Sequence, residues 1–167
     1  MECLCFKPPR PHALTPSHTA TMSSMPPKLG QYLDTFALIE DRHDRIQLLI
    51  DMADRYREVP PSIASRPFAK DHLVPHCESD AYAWVVARPD GTLDLDFAVE
   101  NPQGISARAM AVILMETLSG ETPESVAQIP SDLPYVFFGR ELSMGKTMGL
   151  TGLVAMVKNA AVRLAGA

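Results

Sequence analysis

Residues 81–99 have the sequence AYAWVVARPDGTLDLDFAV, and this stretch predicts a β-hairpin. The first half is rich in Tyr, Trp and Val, which are typical of strands. Gly91 follows Pro89 and Asp90 and supplies the positive φ that a tight reversal requires. The apolar residues that alternate with mostly polar neighbours in the second half are Leu93, Leu95, Phe97 and Val99. This period of two places one face of the hairpin on a core and the other towards solvent.

A surface helix is predicted before the hairpin, over residues 42–57. Its apolar residues have the i, i+3, i+4, i+7 spacing of one helix face and are Ile46, Leu49, Ile50 and Ala53. Pro60 and Pro61 end it, because proline lacks an amide proton and pushes its predecessor out of helical geometry. The stretch up to His76 is irregular, and loops of this length inside a domain tend to be functional.

Further helices are predicted after the hairpin. Ser106 is expected to cap a helix that ends near Gly120, and Thr122 caps a short helix with Pro123 in its first turn. A long amphipathic helix spans residues 146–164. The residues of the two longer apolar faces are Met110, Ile113, Leu114 and Thr117, then Leu150, Leu153, Val154, Val157, Ala161 and Leu164. The predicted fold is α+β, a small antiparallel sheet with helices packed on one face.

Composition limits the classes of partner. The 167 residues are 46% hydrophobic, enough for one core, and a net charge of -5 argues against a general nucleic-acid binder. No apolar run is expected to approach the roughly 20 residues that cross a bilayer, so no membrane partner is expected. Residues 1–28 are predicted to be a disordered extension, and 29–167 the folded domain. Alternatively, the extension is a transit segment or lies upstream of a true start at Met22 or Met25.

Cys77 is the candidate nucleophile. The other cysteines, Cys3 and Cys5, crowd the terminus, so no disulfide framework is expected, and a reducing, cytoplasmic location fits. A nearby imidazolium of His72 or His76, or the Lys146 ammonium, would favour the thiolate. The alternative is a small buried core residue. A metal site is not expected, because the ligand spacing is absent.

The order of these features resembles the SufE family, sulfur acceptors for SufS-type cysteine desulfurases. The similarity extends over residues 33–164. Its motifs are Tyr56-Arg57-Glu58-Val59-Pro60, Arg66-Pro67, Val74-Pro75-His76-Cys77-Glu78-Ser79, Asp90-Gly91, Gly120-Glu121-Thr122-Pro123, and Leu142-Ser143-Met144-Gly145-Lys146-Thr147-Met148-Gly149-Leu150.

The resemblance implies a SufE/IscU-like fold and a function. Cys77 would take persulfide sulfur from a SufS-type desulfurase, stimulate that enzyme, and relay the sulfur to an iron–sulfur scaffold such as a SufB-like protein. Pyridoxal phosphate would belong to the desulfurase, so no cofactor is expected here, and little turnover is expected alone. His76, Ser79 and Lys146 would bind the partner or tune the thiol.

The chain departs from the family pattern at three positions, and the acidic pair that usually follows the hairpin is not clear at Asn101-Pro102-Gln103. His76 stands where members usually have glycine, Tyr82 where they have Trp, and Lys146 where they have Arg. Because His76 has a Cβ, we expect the loop backbone to avoid the conformations that only glycine favours.

Two other functions remain open from the sequence. One is a non-catalytic regulator or adaptor that binds a desulfurase and whose thiol is dispensable. The other is a cysteine hydrolase with His72 or His76 as base, although no oxyanion arrangement or orienting partner is identifiable.

Overall fold

The hairpin forms as predicted in the computed structural model, which describes residues 25–140 and 142–166. Strand β1 (Ala81–Ala87) pairs antiparallel with β2 (Leu93–Val99), and Ala81 lies opposite Val99. Gly91 has a φ of 83°, which is the left-handed conformation expected for the turn. Within the described residues the sheet has these two strands.

Helices precede and follow the hairpin, and the α+β fold class is confirmed. They are α1 (Pro27–Ala37), α2 (Arg42–Asp54), α3 (Ile105–Leu118), α4 (Pro123–Ala127), α5 (Leu133–Phe138) and α6 (Met144–Ala165). The residues of β2 that were predicted to face the core are all buried, and they join one cluster with α3 and α6. The predicted apolar face of α3 is buried as well. Thr117, its one polar member, donates its hydroxyl proton to Ile113 O at 2.7 Å.

The outer face of the sheet is partly covered, which corrects the expectation of a solvent-facing surface. Trp84 is only 6% exposed. The ring of Phe68 packs edge-on against it at 5.3 Å between centroids, and the His72 ring stacks on it at 5.0 Å. The irregular stretch before Cys77 thus forms a second, smaller apolar cluster.

Several predicted boundaries are wrong. Helix α2 ends at Asp54, three residues early, and its Ile46 is 43% exposed. Gly104, not Ser106, occupies the N-cap of α3, and Ser106 lies inside the helix. Helix α6 begins at Met144, where the Ser143 hydroxyl caps it.

Helices α1 and α5 were not predicted. Helix α1 begins at Pro27, inside the segment 1–28 that was expected to be disordered. Residues 1–24, with Cys3, Cys5 and Met22, lie outside the described part of the chain. Helix α5 is only six residues long, too short for a periodic signal.

Helix α6 corrects the expectation that no apolar segment approaches membrane-spanning length. It has 22 residues and is long and apolar enough to cross a bilayer by length and composition, with 33% of its most apolar window buried inside the chain. Helices in the core of a protein can have the same length and composition, so this finding is weak evidence for a membrane span.

The packing of Phe68 on Trp84 can be tested by substitution. Phe68→Ala should cost about 2 kcal/mol of stability through lost apolar burial and should expose the indole. Trp84 is the only tryptophan, so its fluorescence emission should shift to longer wavelength. Ile63→Ala, at a residue of the same stretch that is 40% exposed, is the control. Identical emission in both variants would mean that Phe68 does not cover the ring.

Candidate functional site

Cys77 lies in a loop that is tied to the hairpin at both ends. Before it, the Val74 amide donates to Ala81 O at 2.8 Å. After it, the Glu100 amide donates to Asp80 O at 3.2 Å. We call residues 74–80 the Cys77 loop. Its ends are fixed by the start of β1 and the end of β2, so the hairpin sets where the thiol is presented.

The Cys77 loop lies directly against the backbone of α6. A Cβ atom placed on Gly149 would be 3.0 Å from Cys77 Cα and 3.2 Å from its Sγ. These distances are shorter than ordinary van der Waals contact, so the close approach depends on glycine. Cys77 is half-buried and packs against the main core cluster. The sequence left open whether Cys77 is an accessible nucleophile or a small core residue. Its position has features of both, since the thiol touches the core while its loop is at the surface.

Two more glycines extend this contact along α6. A Cβ on Gly152 would lie 3.1 Å from Pro75 O, and one on Gly145 would overlap the Glu78 carboxylate. Gly145, Gly149 and Gly152 have the i, i+4, i+7 spacing of one helix face. Each glycine inside a helix costs about 0.5–1 kcal/mol relative to alanine. We call these three residues the glycine face; the sequence prediction missed it, although the spacing was the available signal.

The expectation for His76 is wrong. Its φ is 57°, in the left-handed region that the presence of a Cβ was expected to exclude. Asp80, at the other end of the loop, has a φ of 46°. The left-handed conformation costs an L-residue roughly 1–2 kcal/mol, although His, Asp and Asn tolerate it better than most. The Cys77 loop is therefore strained on both sides of the thiol.

The side chain of His72 binds to strand β1 through its ring. Its Nδ1 lies 3.0 Å from the carbonyl oxygen of Ala83, and this arrangement makes Nδ1 the protonated nitrogen that donates. Its ring is stacked on Trp84. These contacts hold His72 against the outer face of β1, which disfavours its role as a mobile base for Cys77.

Ser79 and Lys146 line one cavity of about 360 Å³ beside the Cys77 loop. Glu78 lines it too, whereas Cys77 and His76 do not. The structure therefore brings two of the predicted tuning residues, Ser79 and Lys146, together in one cavity. The third, His76, adjoins Cys77 in the sequence but lines this cavity no more than Cys77 does.

A second cavity of about 300 Å³ continues the first towards α5. The residues that line both cavities are Ile46, Ile50, Ile105, Ser106 and Lys146. We call this continuous depression the α2–α6 groove. Ile46 and Ile105 are 43% and 45% exposed, so large apolar side chains are open to solvent next to a cation. The helical spacing predicts that Ile46 faces the core, so the sequence does not predict the groove.

Among residues 25–140 and 142–166, no group of three or more His, Cys, Asp or Glu side chains is placed to hold a metal ion. Cys77 is the only cysteine among these described residues.

Fold and site together define a small α+β domain that presents one cysteine on an anchored loop beside a groove. The SufE family model, the Fe-S metabolism associated domain, matches residues 30–161. The chain belongs to the SufE family, and its role lies in iron–sulfur metabolism.

A solved structure shows the same fold. The solution structure of a hypothetical protein from Thermus thermophilus superimposes with a TM-score of 0.68 at 23% identity, covering 86% of this chain and 99% of that chain. No curated protein matches the sequence.

The packing behind Ser79 generates a prediction. A Cβ on Gly104 would lie 2.8 Å from Val99 Cγ1 and 3.0 Å from both Asn101 O and Ser79 Cβ. Gly104→Ala should therefore lower the free energy of unfolding by about 1–3 kcal/mol through overpacking. Denaturant unfolding measures the change. In the control, Gly30→Ala, no heavy atom lies within 4 Å of the new methyl group, so stability should be kept or raised. Equal losses in both variants would refute the packing argument.

Proposed function

We propose that the chain is a persulfide carrier, which accepts sulfur on Cys77 from a SufS-type cysteine desulfurase and relays it for iron–sulfur cluster assembly. The observation that carries the proposal is the half-buried thiol on a loop tied to the hairpin at both ends. A thiol held in this way is shielded by the core yet lies close enough to the surface to be presented to a partner.

The transfer step follows thiol–disulfide chemistry. The Cys77 thiolate attacks the outer sulfur of the partner's cysteine persulfide, a new S–S bond forms on Cys77, and the partner's own S–S bond breaks. The partner's cysteine leaves as the thiolate, and the proton stays with the transferred sulfur. No oxidant or reductant is consumed. Pyridoxal phosphate acts in the earlier step on the desulfurase, and this chain needs no cofactor of its own.

A carrier fits the number of thiols better than a scaffold does. Iron–sulfur clusters are held by four cysteine thiolates or close substitutes. The described part of the chain offers Cys77 alone. One thiol suffices to relay sulfur to an acceptor such as a SufB-like scaffold. Because the acceptor thiol must stay reduced between transfers, a reducing compartment suits it, and we propose a cytoplasmic location.

The α2–α6 groove supports docking of the desulfurase. It opens beside Glu78 and Ser79, so a partner that covers Cys77 also lies over the groove. Its exposed Ile46 and Ile105 offer apolar contact, and Lys146 offers a positive charge. An apolar partner segment with a neighbouring carboxylate has the complementary chemistry.

An adaptor without sulfur chemistry is the alternative function. It is favoured by one observation, namely that Cys77 does not line the groove. Such a protein would stimulate the desulfurase by binding alone, and its thiol would be dispensable.

Replacement of Cys77 separates these functions. Cys77→Ser should abolish sulfur loading and the stimulation of the desulfurase, because serine cannot form a persulfide. The measurement is transfer of labelled sulfur from cysteine in the presence of the desulfurase, with thermal unfolding as a check of the fold. The matched control is the Cys3→Ser, Cys5→Ser double variant, which should load normally. If Cys77→Ser stimulates the desulfurase as wild type does, the adaptor function replaces the carrier function.

Charge reversal at the groove tests docking. Lys146→Glu should weaken binding to the desulfurase about fivefold, close to the 1 kcal/mol upper range of an exposed ion pair. Titration calorimetry at low salt measures this, and added salt should reduce the difference. Lys28→Glu on α1 makes the same charge change away from the groove and serves as the control. Equal losses in the two variants would show that only net charge matters and would remove Lys146 from the docking surface.

A further inference from the structure

A network of ion pairs lies beside the end of β2, close to the Cys77 loop. Arg66 donates hydrogen bonds from both Nη atoms to the carboxylate of Glu58, at 2.7 and 2.5 Å, and one from Nε to Glu100 Oε1 at 3.0 Å. A guanidinium that binds one carboxylate through two nitrogens is held in a defined orientation. We call Arg66, Glu58 and Glu100 the Arg66 network. It joins the irregular stretch after α2 to the residue that follows β2.

The groups around Arg66 are themselves held in place. The amide of Val59, next to Glu58, donates to Phe97 O in β2 at 2.8 Å. The guanidinium carbon of Arg66 lies 5.0 Å from the centre of the Phe68 ring. Such a cation–π contact adds to the ion pairs. Arg66 therefore has a well-defined position, although about half of its side chain is exposed.

Backbone hydrogen bonds continue from the Arg66 network to Cys77. The Glu100 amide donates to Asp80 O, and the Asp80 amide donates to Cys77 O, both at 3.2 Å. The Asn101 amide donates to Ser79 O at the same distance. The chain that leaves Cys77 is thus paired with the chain that leaves β2. Because of this pairing, a displacement of Glu100 also displaces the residues that follow the thiol.

We propose that Arg66 is a positioning residue for Cys77, which acts through Glu100 to hold residues 78–80 on the end of β2. Arg66 is not among the residues that line the α2–α6 groove, so this role is separate from docking. Contacts that follow one another do not by themselves show energetic coupling, and the experiments therefore measure the coupling. The inference rests on the proposed function only in its sulfur-loading tests.

Amide hydrogen exchange in the free, full-length chain tests the structural step. Arg66→Gln removes the charge and should raise the exchange rates of the Glu100 and Asp80 amides about fivefold, the upper end for an exposed ion pair. The Leu93 amide, which donates to Glu121 O at the other end of β2, should exchange at its wild-type rate. A selective increase at the first two amides supports the proposal.

Arg88→Gln is the matched control. Arg88 forms an ion pair with Asp94 at 2.6 Å, near the turn of the same hairpin, and both side chains are partly exposed. This variant should leave the Glu100 and Asp80 amides unchanged. Equal increases at these two amides in both variants would show that removal of any hairpin ion pair has the same effect, and would overturn the proposal.

Two further results of the exchange experiment would also overturn the proposal. One is an increase at Leu93 as large as that at Glu100, because exchange would then report a loss of global stability. The other is unchanged exchange at Glu100 in Arg66→Gln.

Sulfur loading tests the consequence for Cys77. With labelled cysteine and saturating desulfurase, the limiting loading rate of Arg66→Gln should be about threefold lower than that of wild type. The desulfurase concentration that gives half of this rate should stay the same, because the α2–α6 groove is unchanged. Arg88→Gln should load as wild type does. An unchanged limiting rate in Arg66→Gln, with or without a higher half-saturating concentration, would refute the positioning role.

A double-mutant cycle tests the route through Glu100. Glu100→Gln removes the carboxylate that Arg66 binds after β2 and should lower the limiting loading rate by a similar factor. If Arg66 acts through Glu100, the double variant loses no more than either single variant. Losses that multiply would show that the two residues act independently and would overturn the route.

The exchange experiment needs no desulfurase. Its failure would refute the role of Arg66 while leaving sulfur transfer intact. Loss of sulfur loading in the wild-type chain would refute the carrier function, and the exchange result would still decide whether Arg66 holds the residues that follow Cys77.

Discussion

The close approach of the Cys77 loop to the backbone of α6 is the constraint on which the site depends. A Cβ on Gly149 would lie 3.0 Å from Cys77 Cα, and one on Gly152 would lie 3.1 Å from Pro75 O, so both approaches are tighter than ordinary contact. At Gly145 the overlap is with the carboxylate end of the Glu78 side chain. Gly149 and Gly152 lie in the interior of α6, where each glycine weakens the helix by about 1 kcal/mol relative to alanine. Burial of the neighbouring apolar face of α6 in the core offsets that loss. The helix thus serves the core with one face and the thiol with another.

The fold was largely predictable where local rules and burial agree. Gly91 fixes the hairpin because few other residues take its φ, and the period of two decides which side of β2 is buried. Errors arose where tertiary contacts override local patterns. Ile46 fits a helical stripe but stays exposed, because the groove it lines is open. Trp84 lies on the outer face yet is buried, because a loop without a periodic signal folds over it.

The chemistry assigned to the site stays a prediction, and the geometry around Cys77 was not predictable from the sequence. The position of Cys77 between a long loop and a strand marked it as the candidate thiol, Lys146 was named as a cation that would favour the thiolate, and the resemblance added Ser79. The left-handed backbone of His76 contradicted a rule about glycine, because loop anchors at both ends impose the conformation on whichever residue stands there. The spacing of Gly145, Gly149 and Gly152 marks one face of a helix, but the sequence does not show which distant segment packs against that face.

The central claim is that Cys77 rests on the backbone of α6 at Gly149, and nuclear Overhauser contacts in the wild-type protein test it most directly. Contacts between the α-protons of Gly149 and the β-protons of Cys77 are predicted in the free chain, alongside the cross-strand contacts of the hairpin. Absence of the Gly149 contacts while the hairpin contacts are present would contradict the account.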